Sequence, residues 1–499
     1  MKDLKSLFEE LKYTLIGGEL TGEITELVYD SRKVCPDCIF VAIIGAAFDG
    51  HEYAAEAVNN GAKAVVVSKD MDGIPGLENA TNGKNVAVIR VSDTRLALAL
   101  LSAAYFDYPA REVGVIGITG TKGKTTTTYL VKSVLDKAGF PCGLMGTIET
   151  IIGDEHIHAV NTTPESYIIQ RDLRKMADRG VKYCVMEVSS QGLMLHRTAG
   201  IPFKIGLFTN ISPDHIGPNE HSDFEDYLHC KSLLFSQCEL GIVNIDDPHV
   251  EDILKNHTCK VHSFGIEKDA DTKGSDIKFI HEEGALATGF RVSGDVDMEV
   301  ELPLPGYFSV YNGLSAICVC KALGAENDII LKALSEAKIR GRIELVNTNG
   351  PFSIIIDYAH NAVSLESILK TLREYEPGRL VSVFGCGGNR DPERRFSMGE
   401  VSGGLSDLTI ITSDNPRFEE PLDIMENIKT GVLRTGGEFV MVEDRKEALR
   451  YAVRNAKPRD VILLAGKGHE DYQEIRGVKH HMDEREICRE VLTEEGYIK

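Results

Sequence analysis

The chain has 499 residues, 42% of them hydrophobic and 26% charged, the balance of a globular protein with room for roughly two to four domains. Its 55 basic against 76 acidic residues leave a formal net charge of −21. That charge excludes a general polyanion binder, and with it nucleic acid as a partner, and confines any phosphate ligand to local basic sites.

The opening MKDLKSLFEELKY sets apolar residues among charges at helical spacing and lacks the unbroken apolar core of a signal peptide. No later stretch reaches the ~18 uncharged apolar residues of a membrane span, so the expectation is a cytoplasmic protein without membrane insertion. Eleven cysteines are scattered, several inside apolar runs such as those holding Cys184 and Cys386, which suits reduced, buried thiols. The one CxxC, Cys35 to Cys38, has no second pair or nearby histidine and reads as two loop thiols.

Strand-like apolar runs then alternate with amphipathic helical patterns for most of the length, which predicts α/β layers on mostly parallel sheets. A first block ends near Tyr108-Pro109, and a second runs to about Val346, where the turn-rich NTNGP intervenes. The expected domains are therefore 1–108, 109–346 and 347–499. The third reads as repeated βα units, with strands SIIIDYA, LVSVFGC, LTIIT, EFVMV and DVILLAG. Such a sheet carries its working residues on loops at the carboxyl ends of the strands.

Early in the second block the strand VGVIGI runs into TGTKGKTTT (Thr119 to Thr127) and then into YLVKSVLDKAGF, where Leu130, Val131, Val134, Leu135 and Ala138 form one helical stripe. Gly120 and Gly123 let backbone N–H groups of Gly120, Thr121, Lys122 and Gly123 turn toward a phosphate, Lys124 can neutralise the terminal phosphates, and Thr125 and Thr126 open the helix, with the Thr125 hydroxyl placed for Mg²⁺. The strict GxxxxGK[ST] spacing is not met, because Ile118 stands where the first glycine belongs. A second strand, KYCVMEVSS, ends in Glu187, the acidic Mg²⁺ partner that a bound ATP needs.

These motifs, with NTTPES (161–166), FTNISPDH (208–215), LPGYFSVYN, GRIE (341–344), DYAHNAVSLE, FGCGGNRD, SDNPR (413–417) and AGKGHEDYQ (465–473), resemble the Mur ligase family in order along the chain. The N-terminal DSRKVCPDCIFVAIIG and DGHEYAAEAVNNGAKAVVV resemble the UDP-binding domain of one branch. The resemblance implies three α/β domains: a UDP-binding one, a central P-loop ATPase and a Rossmann-like one for the incoming amino acid. It further implies an ATP- and Mg²⁺-dependent, amide-bond-forming reaction of peptidoglycan precursor synthesis through an acyl phosphate.

On that resemblance Lys124, His215 and Lys231 are the catalytic candidates, and Thr125, Glu187, His215 and Lys231 the metal set, Lys231 as a carbamylated lysine (N6-carboxylysine). Asn312 and Arg342 join the phosphate loop on the nucleotide, with Asp357, Tyr358 and His360 nearby. Ser31 and Asp49-Gly50-His51 match uridine contacts, although they are also ordinary turn residues. Thr162, Thr163, Ser189 and Arg197 match acceptor-holding positions, while Leu195 stands where some relatives have a polar residue. The chain departs from the family between His215 and Lys231, with DHIGPNEHSDFEDY carrying Gly217-Pro218 and an extra His221 where DHLDYHG is common.

SDNPR read alone is equally an Asn-Pro turn with a solvated arginine. By resemblance Arg390, Asp414, Asn415, Pro416, Arg417, Gly466 and Glu470 form a pocket for meso-diaminopimelate, whose distal carboxylate suits a fixed guanidinium. The implied partners are a UDP-N-acetylmuramoyl dipeptide and meso-diaminopimelate, and the oligomeric state stays open. The alternatives are the same ligation with L-lysine or another amino acid, a folylpolyglutamate-synthase-like ligase, and a P-loop regulatory switch.

Overall fold

A computed structural model describes residues 2–45, 48–217, 220–282 and 285–498. The chain divides into two compact units, Met1–Asp269 with Cys318–Leu323, and Ala270–Ile317 with Gly324–Lys499.

The first unit opens differently from its helical spacing. Only Ser6–Phe8 forms a 3-10 turn, because Asp3 accepts the Ser6 N–H at 2.9 Å while the Ser6 hydroxyl donates to Asp3 O at 2.8 Å, and Thr14–Gly17 is already a strand. Leu4, Leu7, Phe8 and Leu11 are buried all the same. A five-stranded sheet follows in the order Thr14–Gly17, Ala87–Arg90, Ala64–Val67, Ile39–Val41, Leu27–Val28, parallel except for its first pair.

The larger sheet of this unit has six parallel strands, Cys142–Met145, Tyr183–Glu187, Gly114–Thr119, Phe203–Phe208, Cys238–Asn244 and Lys260–Gly265, in that spatial order. The strand Gly114–Thr119 is central, and Val115, Ile116 and Ile118 on it are fully buried, each worth roughly 1.5–3 kcal/mol against exposure. The chain leaves it first toward Cys142–Met145 and later toward Phe203–Phe208, on its opposite sides. A reversal of this kind opens a crevice beyond the strand ends, where α/β proteins bind ligands.

The second unit holds three antiparallel strands, Thr272–Glu282, Ala285–Gly294 and Met298–Leu302, and a six-stranded sheet. The latter runs Glu344–Val346, Ser353–Asp357, Val461–Ala465, Leu380–Phe384, Leu408–Ile411, Phe439–Met441, with only the first pair antiparallel. The strand last in the chain lies between the second and third, so the carboxyl ends of 461–465, 380–384 and 408–411 converge.

A buried arginine fastens those ends. Arg445, 4% exposed, donates Nε to Glu484 Oε1 at 2.7 Å, Nη2 to Ala465 O at 2.8 Å and Nη1 to Ser413 O at 3.4 Å. Removing Glu484 would leave the guanidinium buried without its counter-charge, so Glu484→Ala is expected to cost about 3–5 kcal/mol, read as a lower urea midpoint at unchanged slope.

Candidate active site

The helix Lys124–Lys137 starts directly after the central strand, and its N-cap, Gly123, offers no side chain to the first-turn N–H groups. The positive end of the helix dipole lies here, which favours an anion. Gly120 sits at φ +147°, where an added Cβ would lie 2.0 Å from Thr209 Oγ1, so the loop's shape requires glycine. The segment after the strand Phe203–Phe208 moulds the loop: Asn210 Oδ1 accepts the Lys122 N–H at 3.0 Å, the Thr209 hydroxyl donates to Lys122 O at 2.8 Å, and Asn210 O accepts the Thr121 N–H at 2.8 Å. Lys124 Nζ donates to Gly120 O at 2.7 Å and Thr121 O at 3.1 Å.

Glu187, 1% exposed, reaches the same place from the neighbouring strand. Its carboxylate accepts the Thr125 hydroxyl (3.0 Å), the Thr147 hydroxyl (3.0 Å) and the Thr147 N–H (2.8 Å). Thr126 follows half-buried. A hydroxyl and a desolvated carboxylate held together are the hard oxygen donors that Mg²⁺ takes.

Lys231, 1% exposed, donates Nζ to Gly120 O at 3.0 Å and lies 4.5 Å from the Tyr227 ring centroid. Burial, and then the neighbouring charge of Lys124, push its pKa well below the usual lysine value, which favours the neutral amine. His215 is on an exposed turn at φ +54°, its ring centroid 6.1 Å from that of Tyr227 and its Nδ1 3.4 Å from Glu220 Oε1.

The departing loop has its own anchor, with Pro218 outside the described residues. His221 is fully buried, its Nε2 2.8 Å from Ser190 Oγ and its Nδ1 3.1 Å from Asp226 Oδ2, and its N–H donates to His215 O at 3.0 Å. His221, Asp226 and Cys230 are the one trio of metal-capable side chains among the described residues. The Cys230 thiol donates to Asp226 Oδ1 at 3.6 Å, and with His221 held between Ser190 and Asp226 the trio forms a hydrogen-bonded clamp on the loop; burial, and then Asp226, push the Cys230 thiol up to about 12.

The proposed acceptor residues lie beside Glu187. Thr163 Oγ1 donates to Glu187 O at 2.9 Å and accepts the Ser189 N–H at 2.9 Å, Arg197 Nη1 donates to Thr163 O at 2.9 Å, and Thr162 Oγ1 is 3.1 Å from Thr147 Oγ1. In the N-terminal sheet Ser31 opens a 3-10 turn capped by Asp30. Burial works upward on the Asp49 carboxyl, but the bonded Lys69 and His51 hold it well below its usual range, and His51 Nε2 accepts the Ser68 N–H at 2.9 Å. Asp49 and His51 thus shape their own loop.

In the second unit Arg342 lies over the Tyr358 ring at 5.2 Å, its Nε buried without a hydrogen-bond partner. Asp357 accepts the Ile343 N–H at 2.8 Å and the Ala359 N–H at 2.9 Å, Asn312 is half-buried on the helix Tyr307–Ala322, and His360 is exposed.

At the converging strand ends stand Asp414, Asn415, buried Pro416, Arg417, Gly466 and Glu470, with Arg390 exposed on the loop after Leu380–Phe384. Gly388 must be small here, since a Cβ would meet Pro416 O at 2.0 Å. Arg417, at φ +54°, donates Nε to Glu474 Oε2 at 3.1 Å and Nη1 to Gly388 O at 2.7 Å. Asn415 Nδ2 donates to Glu470 Oε2 at 3.1 Å. Thr147, Thr209, Asn210, Lys467 and Glu474 escaped the sequence reading because nothing in their spacing marks them. Only the quoted FTNISPDH and AGKGHEDYQ runs pass through three of them, Thr209, Asn210 and Lys467.

The chain belongs to the Mur ligase family: residues 23–106 match the Mur ligase family, catalytic domain, residues 118–320 the Mur ligase middle domain, and residues 341–468 the Mur ligase, glutamate ligase domain. More particularly, it is 42% identical to a UDP-N-acetylmuramoyl-L-alanyl-D-glutamate–2,6-diaminopimelate ligase of Clostridium botulinum, over 99% of this chain and all of the relative. The protein of that name from Clostridium perfringens is also 42% identical, over 98% of this chain and 99% of its own. A solved structure of a ligase of that name superposes with a TM-score of 0.74 at 27% identity, covering 100% of both chains.

Proposed function

We propose that this protein is the ATP-dependent ligase that joins meso-diaminopimelate to the D-glutamate of UDP-N-acetylmuramoyl-L-alanyl-D-glutamate, a cytoplasmic step of peptidoglycan precursor synthesis. The observation that carries the amino-acid choice is the crevice of the second unit, where the Arg417 guanidinium and the Glu470 carboxylate are joined through the Asn415 turn. A distal carboxylate and a distal ammonium are what such a pair reads.

The chemical problem is charge, since a carboxylate must attack a triphosphate that repels it. Lys124 and the N-terminal dipole of the helix Lys124–Lys137 neutralise the terminal phosphates as ADP departs and the acyl phosphate forms, whereas the Thr121 and Lys122 N–H groups, expected to turn toward a phosphate, are taken by Asn210. The amine of the amino acid then attacks the acyl carbon, inorganic phosphate leaves, and a proton is lost. Thr125 and Glu187 would hold Mg²⁺, with His215 and a carbamylated Lys231 serving a second ion. Bound there, Mg²⁺ supplies charge neutralisation between the phosphates and the acceptor. Thr162, Thr163, Ser189 and Arg197 hold the acceptor peptide, Ser31 the uridine end, and Asn312 and Arg342 the adenine side, where the unpartnered Nε of Arg342 is a donor in want of an acceptor.

With ATP, Mg²⁺ and the UDP-dipeptide, the enzyme is expected to consume meso-diaminopimelate about a hundredfold or more faster than L-lysine, because lysine brings no carboxylate to the nitrogen of Arg417 that Glu474 and Gly388 leave open. ADP release should require both acceptor and amino acid. Equal rates with lysine would sink the amino-acid assignment, and amine-independent turnover would favour a nucleotide switch.

A further inference from the structure

The amino-acid crevice contains a second layer of charge. Lys467 is fully buried, and its ammonium donates to Asn415 Oδ1 at 2.7 Å and Tyr472 O at 2.7 Å, with Glu470 Oε2 at 3.3 Å and Asp414 Oδ1 at 3.5 Å. An ammonium so far from water is retained only where it is paired and fully hydrogen-bonded.

Its main partner, Asn415, is a hub. Oδ1 takes Lys467 Nζ and also the Glu474 N–H at 2.8 Å, while Nδ2 gives to Glu470 Oε2. With both ends of the amide engaged, its rotation is blocked, and it ties the Glu470 carboxylate to the strand that carries Glu474.

Glu474 continues the chain of contacts to Arg417. The Arg417 N–H donates to Glu474 O at 3.0 Å, the Arg476 N–H returns to Arg417 O at 2.6 Å, and the Glu474 carboxylate receives Arg417 Nε. The two-stranded hairpin Tyr472–Ile475 and Val478–His481 is therefore sewn onto the turn that bears Arg417. With Nε on Glu474 and Nη1 on Gly388 O, the guanidinium has one orientation, and Nη2 is the nitrogen left to be offered outward.

We propose that Lys467 and Glu474 are positioning residues for the amino-acid substrate: through Asn415 and Arg417 they set the Glu470 carboxylate and the Arg417 guanidinium at the separation of a distal ammonium and a distal carboxylate on one carbon. The inference rests on the reading of this crevice as the amino-acid site. Glu474, with 23% of its side chain exposed, can be changed with little risk to the fold, whereas Lys467 is part of the interior.

The test compares the wild type, Glu474→Ala, Glu474→Gln and Lys467→Met by kcat and KM for meso-diaminopimelate and by KM for ATP. Glu474→Ala should raise the amino-acid KM about tenfold with kcat and the ATP KM little changed, and Glu474→Gln, which keeps an acceptor for Arg417 Nε, should restore it to within about threefold. Lys467→Met should raise the amino-acid KM about a hundredfold and narrow the preference over L-lysine.

An unchanged KM in Glu474→Ala, failure of the glutamine to restore it, or parallel rises for ATP and amino acid would overturn the proposal. If Lys467→Met does not fold, the two Glu474 variants decide alone. A wild type indifferent between the two amino acids would overturn the reading of the crevice, whereas a selective wild type with unresponsive Glu474 variants would overturn only the positioning roles.

Discussion

Replacing Lys124 by methionine is expected to lower kcat about 10²–10³-fold, the scale of removing one preorganised charge-stabilising group from a transition state. The side chain sits at the first position of the helix Lys124–Lys137, and its ammonium is held within 2.7 Å of Gly120 O and 3.1 Å of Thr121 O. In that place it supports the loop, and on the proposed mechanism it meets the terminal phosphates of the nucleotide. Methionine keeps the aliphatic stem and the helix, so the protein should fold. The loss should appear in kcat and in the ATP KM, with the amino-acid KM unmoved, because the proposed amino-acid residues, Arg417 and Glu470 among them, belong to the other unit of the chain. Equal losses in every constant, or none, would remove Lys124 from the reaction.

The second large effect is expected at Arg417. Arg417→Ala should reduce the preference for meso-diaminopimelate over L-lysine by about 2–5 kcal/mol, which is roughly 30-fold to several-thousand-fold in the ratio of kcat/KM. The direction follows from desolvation. In the wild type the guanidinium keeps Glu474 on Nε and Gly388 O on Nη1, so lysine leaves its remaining nitrogen without an acceptor, while diaminopimelate supplies one. Without the guanidinium, the distal carboxylate of diaminopimelate loses its partner and lysine loses a penalty. ADP release with diaminopimelate should fall through KM more than kcat, since the contact lies far from the reacting amine. An unchanged ratio would show that the DNPR turn is only structural.

Much of the site was legible because its chemistry is local in sequence. Gly120, Gly123, Lys124 and Thr125 are contiguous, and a strand, a glycine turn and a helix are each short-range patterns. The strand-end positions of Glu187, Asp414, Arg417, Gly466 and Glu470 could likewise be placed from where apolar runs stop. The opening stretch misled, since Leu4, Leu7, Phe8 and Leu11 have helical spacing, yet the local Asp3–Ser6 bonds close only one 3-10 turn. His221 looked like an extra residue in a divergent loop. It proves to be that loop's buried anchor, a role set by Ser190, 31 positions away.

By itself, then, the sequence determined the α/β class, the strand, glycine turn and helix of 114–137 and the residues at which the apolar strands end, since these depend on periodicity and on residue types that few neighbours can override. Tertiary structure alone decided which distant groups share a charge or a hydrogen bond. Thr209 and Asn210 mould the phosphate loop, Thr147 faces Glu187, and Lys467 and Glu474 stand behind Asn415 and Arg417. Pairings of that kind depend on strand order and sheet twist, which bring remote segments to one crevice, and no local pattern encodes the partner.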